Sequence, residues 1–323
     1  MTFSTESFIK IGILSPDSTD YRKRFNMKIL ITGSNGLLGQ KLLSVLTKDT
    51  NELYGIDLAD KAIVNNILHQ YECLNLTNTK TTIDAILGIG PDIIIHTAAT
   101  TAVDNCEQEK ELCWNSNVLT TENIIKASKK TGSKVIFISS DYVFDGKNGP
   151  YSEEDLPNPI NYYGRSKLAA ENMLRGSGLN WTIVRTIVLY GIGINTRSSF
   201  VTWLLRQLRT GNTVQIVNDQ WGNTTIVDDL ATGIERITML DRKGIYNIAS
   251  HDYMNRYEFA VKIAEFFDLD CGLISSITTS SLNQPADRPL RSGLKVDKAE
   301  KELYISFRTL AEALTLYKKL ENN

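Results

Sequence analysis

An α/β fold, with a parallel sheet buried on both faces, is predicted by three features of this sequence. From Met27 onward short apolar runs alternate with segments of helical spacing, the order that builds βαβ units. Two of the runs, IIIH at 93–96 and VIFI at 135–138, are apolar almost without interruption, as strands covered by helices on both sides require. The first run ends in a glycine-rich turn that opens a helix, TGSNGLLG at 32–39.

The elements follow in order. MKILIT (27–32) reads as the first strand, and GLLGQKLLSVL as the helix after it. ELYGID (52–57) is a second strand, YECLNL (71–76) a third, TIDAILGIG a helix and DIIIHTAA (92–99) a buried strand. Helical spacing runs from about Val103 to Lys130, with a break near Cys113. KVIFISS (134–140) is a strand, a polar loop follows, and a helix begins near Tyr163. WTIVRTIVLYG (181–191) reads as one further strand. Beyond Gly191 helices are predicted at 198–210, 227–240, 256–267 and 307–320, with short strands at 213–217 and 245–248. The expected organisation is an N-terminal extension at 1–26, a dinucleotide-binding domain at 27–190, and a smaller substrate-binding lobe at 191–323 partly interleaved with it. The extension lacks the cationic start and apolar core of a secretion signal.

The chain has 323 residues, enough for one large or two modest domains. Its 35 basic against 37 acidic residues give a net charge of −2, which argues against nucleic acid or an anionic membrane as partner. No apolar run approaches the ~18 residues of a membrane span. Four cysteines without CxxC spacing and only three histidines argue against a metal site. Cys106 and Cys113 read as two reduced, partly buried thiols of a cytoplasmic protein.

The chemistry concentrates at strand ends. Gly33, Gly36 and Gly39 follow the first strand directly. Such glycines allow a tight turn and let the backbone approach a pyrophosphate at a helix N-terminus. Asp57 closes the second strand about 20 residues later, where a carboxylate binds a ribose 2′-hydroxyl. Leu58, Ala59 and Asp60 bring no arginine, so NAD(H) is favoured over NADP(H), with Lys61 the opposing feature. In NYYGRSK (161–167), Tyr163 and Lys167 stand at i and i+4 on one helical face, while Tyr162 points elsewhere. A phenol loses its proton near pH ~10, and a neighbouring ammonium lowers that value. Ser140 ends a strand and can donate to a carbonyl beside the tyrosine. His96 is read as structural.

These features together resemble the extended short-chain dehydrogenase/reductase superfamily, a Rossmann-type doubly wound fold, from Met27 to about Leu303. Within it, TAVDNCE (101–107), SSDYVFDG (139–146), NPINYYGRSKLAAE (158–171), NDQWGNTT (218–225) and RPLRS (288–292) resemble the dTDP-4-dehydrorhamnose reductase family. The resemblance implies hydride transfer from NAD(P)H to the 4-keto group of a nucleotide-linked deoxysugar. It makes Ser140, Tyr163 and Lys167 the catalytic set. Gly33, Asn35, Gly36, Leu37, Leu38, Asp57, Leu58, Asn75, Leu76, Ala98, Ala99 and Thr100 would line the dinucleotide with Tyr163 and Lys167. Ser140, Asp141, Val188 and Arg288 would meet the substrate, and the resemblance leaves room for a homodimer. The chain departs from the family at Asn75 (usually aspartate), Val188 (usually tryptophan) and Thr224 (usually proline). An epimerase or dehydratase of the superfamily is a second reading: Asp141 follows Ser140, but the expected glutamate is missing. A third is a regulatory subunit similar to the methionine adenosyltransferase β subunit.

Overall fold

In this computed structural model, residues 27–47 and 51–322 are described; the extension at 1–26 lies outside them. The apolar runs form β1 (Lys28–Thr32), β2 (Glu52–Asp57), β3 (Gln70–Cys73), β4 (Ile93–His96), β5 (Lys134–Ser140) and β6 (Trp181–Thr186). With β11 (Gly244–Ile248) they make one seven-stranded sheet, ordered β11-β6-β5-β4-β1-β2-β3. Every pairing in it is parallel, so the predicted Rossmann-type sheet is the one observed.

Helices cover both faces. On one side α1 (Leu37–Leu46) packs on α8 (Val227–Met239) over a core that includes Ile29, Ile31, Ile95 and Ile136. On the other, α2 (Thr79–Ile89) packs on α5 (Thr120–Thr131) over Leu30, Ile94, Val135 and Phe137. Successive residues of each strand thus serve opposite cores, which is why IIIH and VIFI are apolar throughout. Gly90 and Gly132 end α2 and α5 in the left-handed conformation, at φ 59° and 78°, a common helix stop.

A second core gathers α7 (Phe200–Arg209), α9 (Arg256–Phe266) and α11 (Leu310–Glu321). It is tied together by short pairs: β7 (Leu189–Tyr190) with β10 (Thr225–Ile226), β8 (Val214–Val217) with β13 (Ile274–Ile277), and β9 (Trp221–Gly222) with β12 (Met254–Asn255). β11 and α8 return from this later part of the chain to the main sheet, so the two lobes interleave in space.

Three expectations are corrected. WTIVRTIVLYG is not one strand: Val188 takes φ 41°, a conformation a β-branched residue rarely adopts. The chain then leaves β6 and pairs with β10 as β7. The helical region breaks at Glu109, between α3 (Val103–Gln108) and α4 (Lys110–Trp114), not near Cys113. Past Trp114 the backbone continues as a π turn at Asn115–Leu119. Finally, α10 (Asp297–Leu303) had no counterpart in the predicted pattern.

Candidate active site

The strand order reverses between β1 and β4, and ligands of open α/β sheets bind beyond the carboxyl strand ends at such a point. Gly33 turns the chain there at φ 71°, and a Cβ on it would lie 2.9 Å from the Ala98 nitrogen. A Cβ on Gly39 would collide with the Gly33 carbonyl. The first and third glycines are therefore required by the turn itself. Gly36 donates its N–H to Gly33 O at 3.0 Å.

Asp57 closes this turn. Its Oδ2 accepts from the Asn35 N–H at 3.0 Å and its Oδ1 from the Leu58 N–H at 2.7 Å. The Asn35 side chain donates to Lys61 O at 3.0 Å and accepts from the Ile63 N–H at 2.8 Å, fixing the loop after β2. Asn75 is exposed and accepts from Thr77. Leu76 is buried, with its carbonyl held by Asn123 at 2.9 Å. Ala98, Ala99 and Thr100 lie partly buried beside Gly33.

Thr100 is held by a residue that sequence reasoning missed. Asn117, in the π turn, accepts from the Thr100 N–H at 2.8 Å and donates to Thr100 O at 3.1 Å. It also donates to Ser166 Oγ at 2.9 Å, and Ser166 donates to the Tyr163 carbonyl at 2.7 Å. One side chain thus bolts the loop after β4 to the helix of Tyr163. Single π turns recur at functional sites, but an extra residue inside a helical run leaves no mark in the apolar period.

That helix, α6 (Tyr162–Arg175), starts at Asn161, whose side chain accepts from the Gly164 N–H at 2.8 Å. Tyr163, Lys167 and Glu171 form a buried stripe at i, i+4 and i+8. Glu171 ends the stripe in a buried two-pronged pair with Arg185, at 3.0 and 2.7 Å. Tyr162 faces outward, 6.4 Å from Trp114 between ring centroids, with Lys110 5.7 Å from its ring.

Ser140, at the end of β5, donates to Asp141 Oδ1 at 3.0 Å and accepts from the Tyr142 N–H at 3.2 Å. Tyr163 packs with Cys106 and Cys113 and stands edge-on to Tyr142, with centroids 5.7 Å apart. Burial pushes the Tyr163 pKa above its ordinary value, with Ser140 opposing. The expected lowering by Lys167 is not what the chain shows. Lys167 is itself buried, over the Phe137 ring at 4.1 Å. Burial lowers its pKa from 10.5 to about 7, against the pull of Glu171, Cys113 and Cys106. Desolvation, which disfavours the charged form of either group, is the largest influence on both. The two thiols are fully buried rather than partly so.

Asp141 is buried, and burial raises its pKa; its Oδ2 accepts from Ser292 Oγ at 2.7 Å. Arg288 is engaged by Asp104 at 2.8 Å and by Ala286 O at 2.7 Å. Val188 is partly buried against the main core, and its carbonyl accepts from the Thr225 N–H at 3.2 Å. His96 is buried, its Nδ1 2.7 Å from Thr32 Oγ1, and desolvation lowers its pKa to about 3. It is therefore uncharged at neutral pH.

A family model described as "RmlD substrate binding domain" matches residues 27–321. The chain belongs to the RmlD family. This is an oxidoreductase family of sugar-nucleotide reductases, and its relatives vary in role. The probable low-salt glycan biosynthesis reductase Agl14 of Haloferax volcanii is 31% identical over 89% of this chain and 96% of its own. Methionine adenosyltransferase 2 subunit beta of Bos taurus is 32% identical over 85% of this chain and 82% of its own. The crystal structure of a Bacillus anthracis dTDP-4-dehydrorhamnose reductase in complex with NADP superposes with a TM-score of 0.81. It covers 90% of this chain and 98% of its own at 29% identity.

Proposed function

We propose that this RmlD-family chain is an NAD(P)H-dependent reductase of the 4-keto group of a nucleotide-linked deoxysugar, converting dTDP-4-dehydrorhamnose to dTDP-L-rhamnose. The observation that carries the reading is the buried stripe of Tyr163 and Lys167 on α6, packed against the carboxyl end of β5 where Ser140 stands. The hydroxyls of Ser140 and Tyr163 would bind a carbonyl oxygen there. Residues 27–190 would hold the dinucleotide and 191–323 most of the sugar nucleotide.

The nicotinamide supplies the hydride. The turn at Gly33 would bring a pyrophosphate to the N-terminus of α1, and Asp57 would stand where a ribose hydroxyl is met. That carboxylate would repel a 2′-phosphate, which favours NAD(H). Tyr163, a phenol protonated at neutral pH even at its ordinary pKa and held so more firmly by burial, would give its proton to the nascent alkoxide. Ser140 would orient the carbonyl. Lys167, with a pKa of about 7, would restore the Tyr163 proton. A positioned acid of this kind contributes about 10²–10⁴-fold. The free thiols of Cys73, Cys106, Cys113 and Cys271 suit the cytoplasm.

The test is a coupled assay in which dTDP-glucose passes through the preceding dehydratase and epimerase while oxidation of NADH or NADPH is followed. Oxidation that requires both the sugar and this protein supports the reading. Bound dinucleotide without turnover of any keto-sugar would favour the regulatory reading, which the likeness to methionine adenosyltransferase subunit beta motivates.

A further inference from the structure

The proposed mechanism calls for an ammonium at Lys167, in a place where burial works against the charge. The titratable groups that face Lys167 are Tyr163 and Glu171 along α6, His96 from β4, Cys106 from α3 and Cys113 from α4. The one carboxylate among them is engaged elsewhere, since both oxygens of Glu171 accept from Arg185, at 3.0 and 2.7 Å. Cys113 Sγ accepts from Asn117 at 3.5 Å and donates to Ser166 Oγ at 3.6 Å. What the ammonium meets instead is a ring. Lys167 Nζ stands 4.1 Å from the centroid of Phe137. This is the shortest approach of a cation to an aromatic ring among the described residues, where the others lie at 4.8 to 5.7 Å.

The ring is well fixed. Phe137 lies on β5, three residues before Ser140, paired with His96 on β4 and Ile183 on β6. It is buried, in the core that also holds Ile94 and, from α6, Ala170 and Leu174. The His96 ring stands 5.8 Å from it with the planes 38° apart. Ladders on both sides fix its Cβ, and close packing leaves the ring little freedom. A lysine side chain is a flexible four-carbon stem with no planar fork to orient it, so the surface beneath Nζ decides where the charge sits. The face of a phenyl ring is negative and attracts an ammonium, more strongly where both are dry. An aliphatic side chain at 137 would exclude water equally and give no such attraction.

We propose that Phe137 is a positioning residue: the face of its ring holds the Lys167 ammonium in the stripe it shares with Tyr163, ready to return the proton. The part in proton return rests on the reductase reading above; the hold of the ring on the ammonium does not. The test replaces Phe137 in turn by singly, doubly and triply fluorinated phenylalanine, which keep the shape of the ring and drain negative charge from its face. The proton affinity of Lys167 is read from the Cε resonance of labelled lysine, assigned with Lys167→Met. The pH dependence of keto-sugar turnover is followed alongside. The expected result is a stepwise fall in proton affinity, reaching about 3- to 30-fold. The alkaline limb of turnover should move to lower pH by the same factor, because the ammonium is the form that gives up a proton. A merely structural role would move neither, since shape and burial are retained. An unchanged Lys167 titration across the series would overturn this inference alone. A titration that falls in a protein that turns over no keto-sugar would overturn the reductase reading and support the hold of the ring on Lys167. Phe137→Leu gives a second check: it keeps the site apolar without the ring, so a fall is expected, and a titration equal to wild type would again overturn the inference.

Discussion

The two lobes of this chain are built by different means. In the first, strands of four to seven residues alternate with helices, most of them of ten residues or more, along one parallel ladder. In the second, three of the pairings involve two-residue strands or are made far from their sequence neighbours. There the segments are joined by single side chains such as Asn223, which donates to Ser250 O and Leu294 O at 2.7 and 2.8 Å. Regular ladders leave a repeating trace in the sequence; isolated clamps do not. The difference bears on function, because the proposed chemistry and dinucleotide contacts come from the regular lobe, while the clamped one is proposed to hold most of the sugar nucleotide.

The comparison is broken most directly within α6. Tyr163→Phe removes one hydroxyl from the buried stripe and should lower kcat by about 10²–10⁴-fold, with NAD(P)H affinity little changed. Tyr162→Phe, against Trp114 on the outer face, should stay within a few-fold of wild type. Steady-state kinetics on the two variants decides it, and equal losses would mean the wrong face has been chosen.

Next in size is a pH effect on the cofactor-free protein. Lys167 has a folded pKa of about 7 against 10.5 ordinarily. Between those values the unfolded chain holds a proton that the folded one does not, so stability rises with pH across that window. Below pH 7 both states are protonated and the full penalty of the buried charge remains. Denaturant unfolding from pH 7 to 10 should therefore show a steeper gain in the wild type than in Lys167→Met. Parallel curves would show that Lys167 is not held in its neutral-favouring environment. His96, lowered to about 3, acts in the same sense at lower pH: its contribution is lost as pH falls from about 6.5 towards 3.

How much was legible follows from the same contrast. β1, β4 and β5 were plain because their residues serve two cores at once, and Tyr163 with Lys167 because a helix brings i and i+4 together. Val188 was opaque. An apolar β-branched residue predicts extension, but Val188 takes φ 41° where its carbonyl accepts from the N–H of Thr225, far along the chain. Asn117 was opaque because a π turn adds a residue without altering the apolar face. Ser292 and Asp141 are 151 residues apart, and only tertiary folding makes them neighbours. The expected lowering of the tyrosine pKa by lysine failed for another reason: spacing shows which groups share a face and not how dry that face is.

Cofactor choice is a smaller and sharper test, since it concerns the regular lobe alone. Asp57→Ala removes the carboxylate that closes the glycine turn and would face a 2′-phosphate. NADH affinity should fall by about tenfold or more, as when a charged hydrogen-bonding group is lost, and NADPH should suffer less. Fluorescence titration of both cofactors measures this. A strong preference of the wild type for NADPH would remove Asp57 from the ribose role.

The smallest effect asks whether the lobes are energetically separate. Thr309 caps α11 in a capping box, accepting from the Glu312 N–H at 3.4 Å while Glu312 accepts from the Thr309 N–H at 2.8 Å. Thr309→Ala should cost about 1 kcal/mol and lower the melting temperature by about 2–4 °C for a chain of this size. The helix belongs to the second core, and no residue proposed for the dinucleotide lies on it. NAD(P)H affinity at 25 °C should therefore be unchanged while the melting point falls. A matching loss of cofactor affinity would show that the clamps at Ser292 and Asn223 transmit strain from the second lobe to the first, and that the contrast between the lobes is one of construction and not of energetic independence.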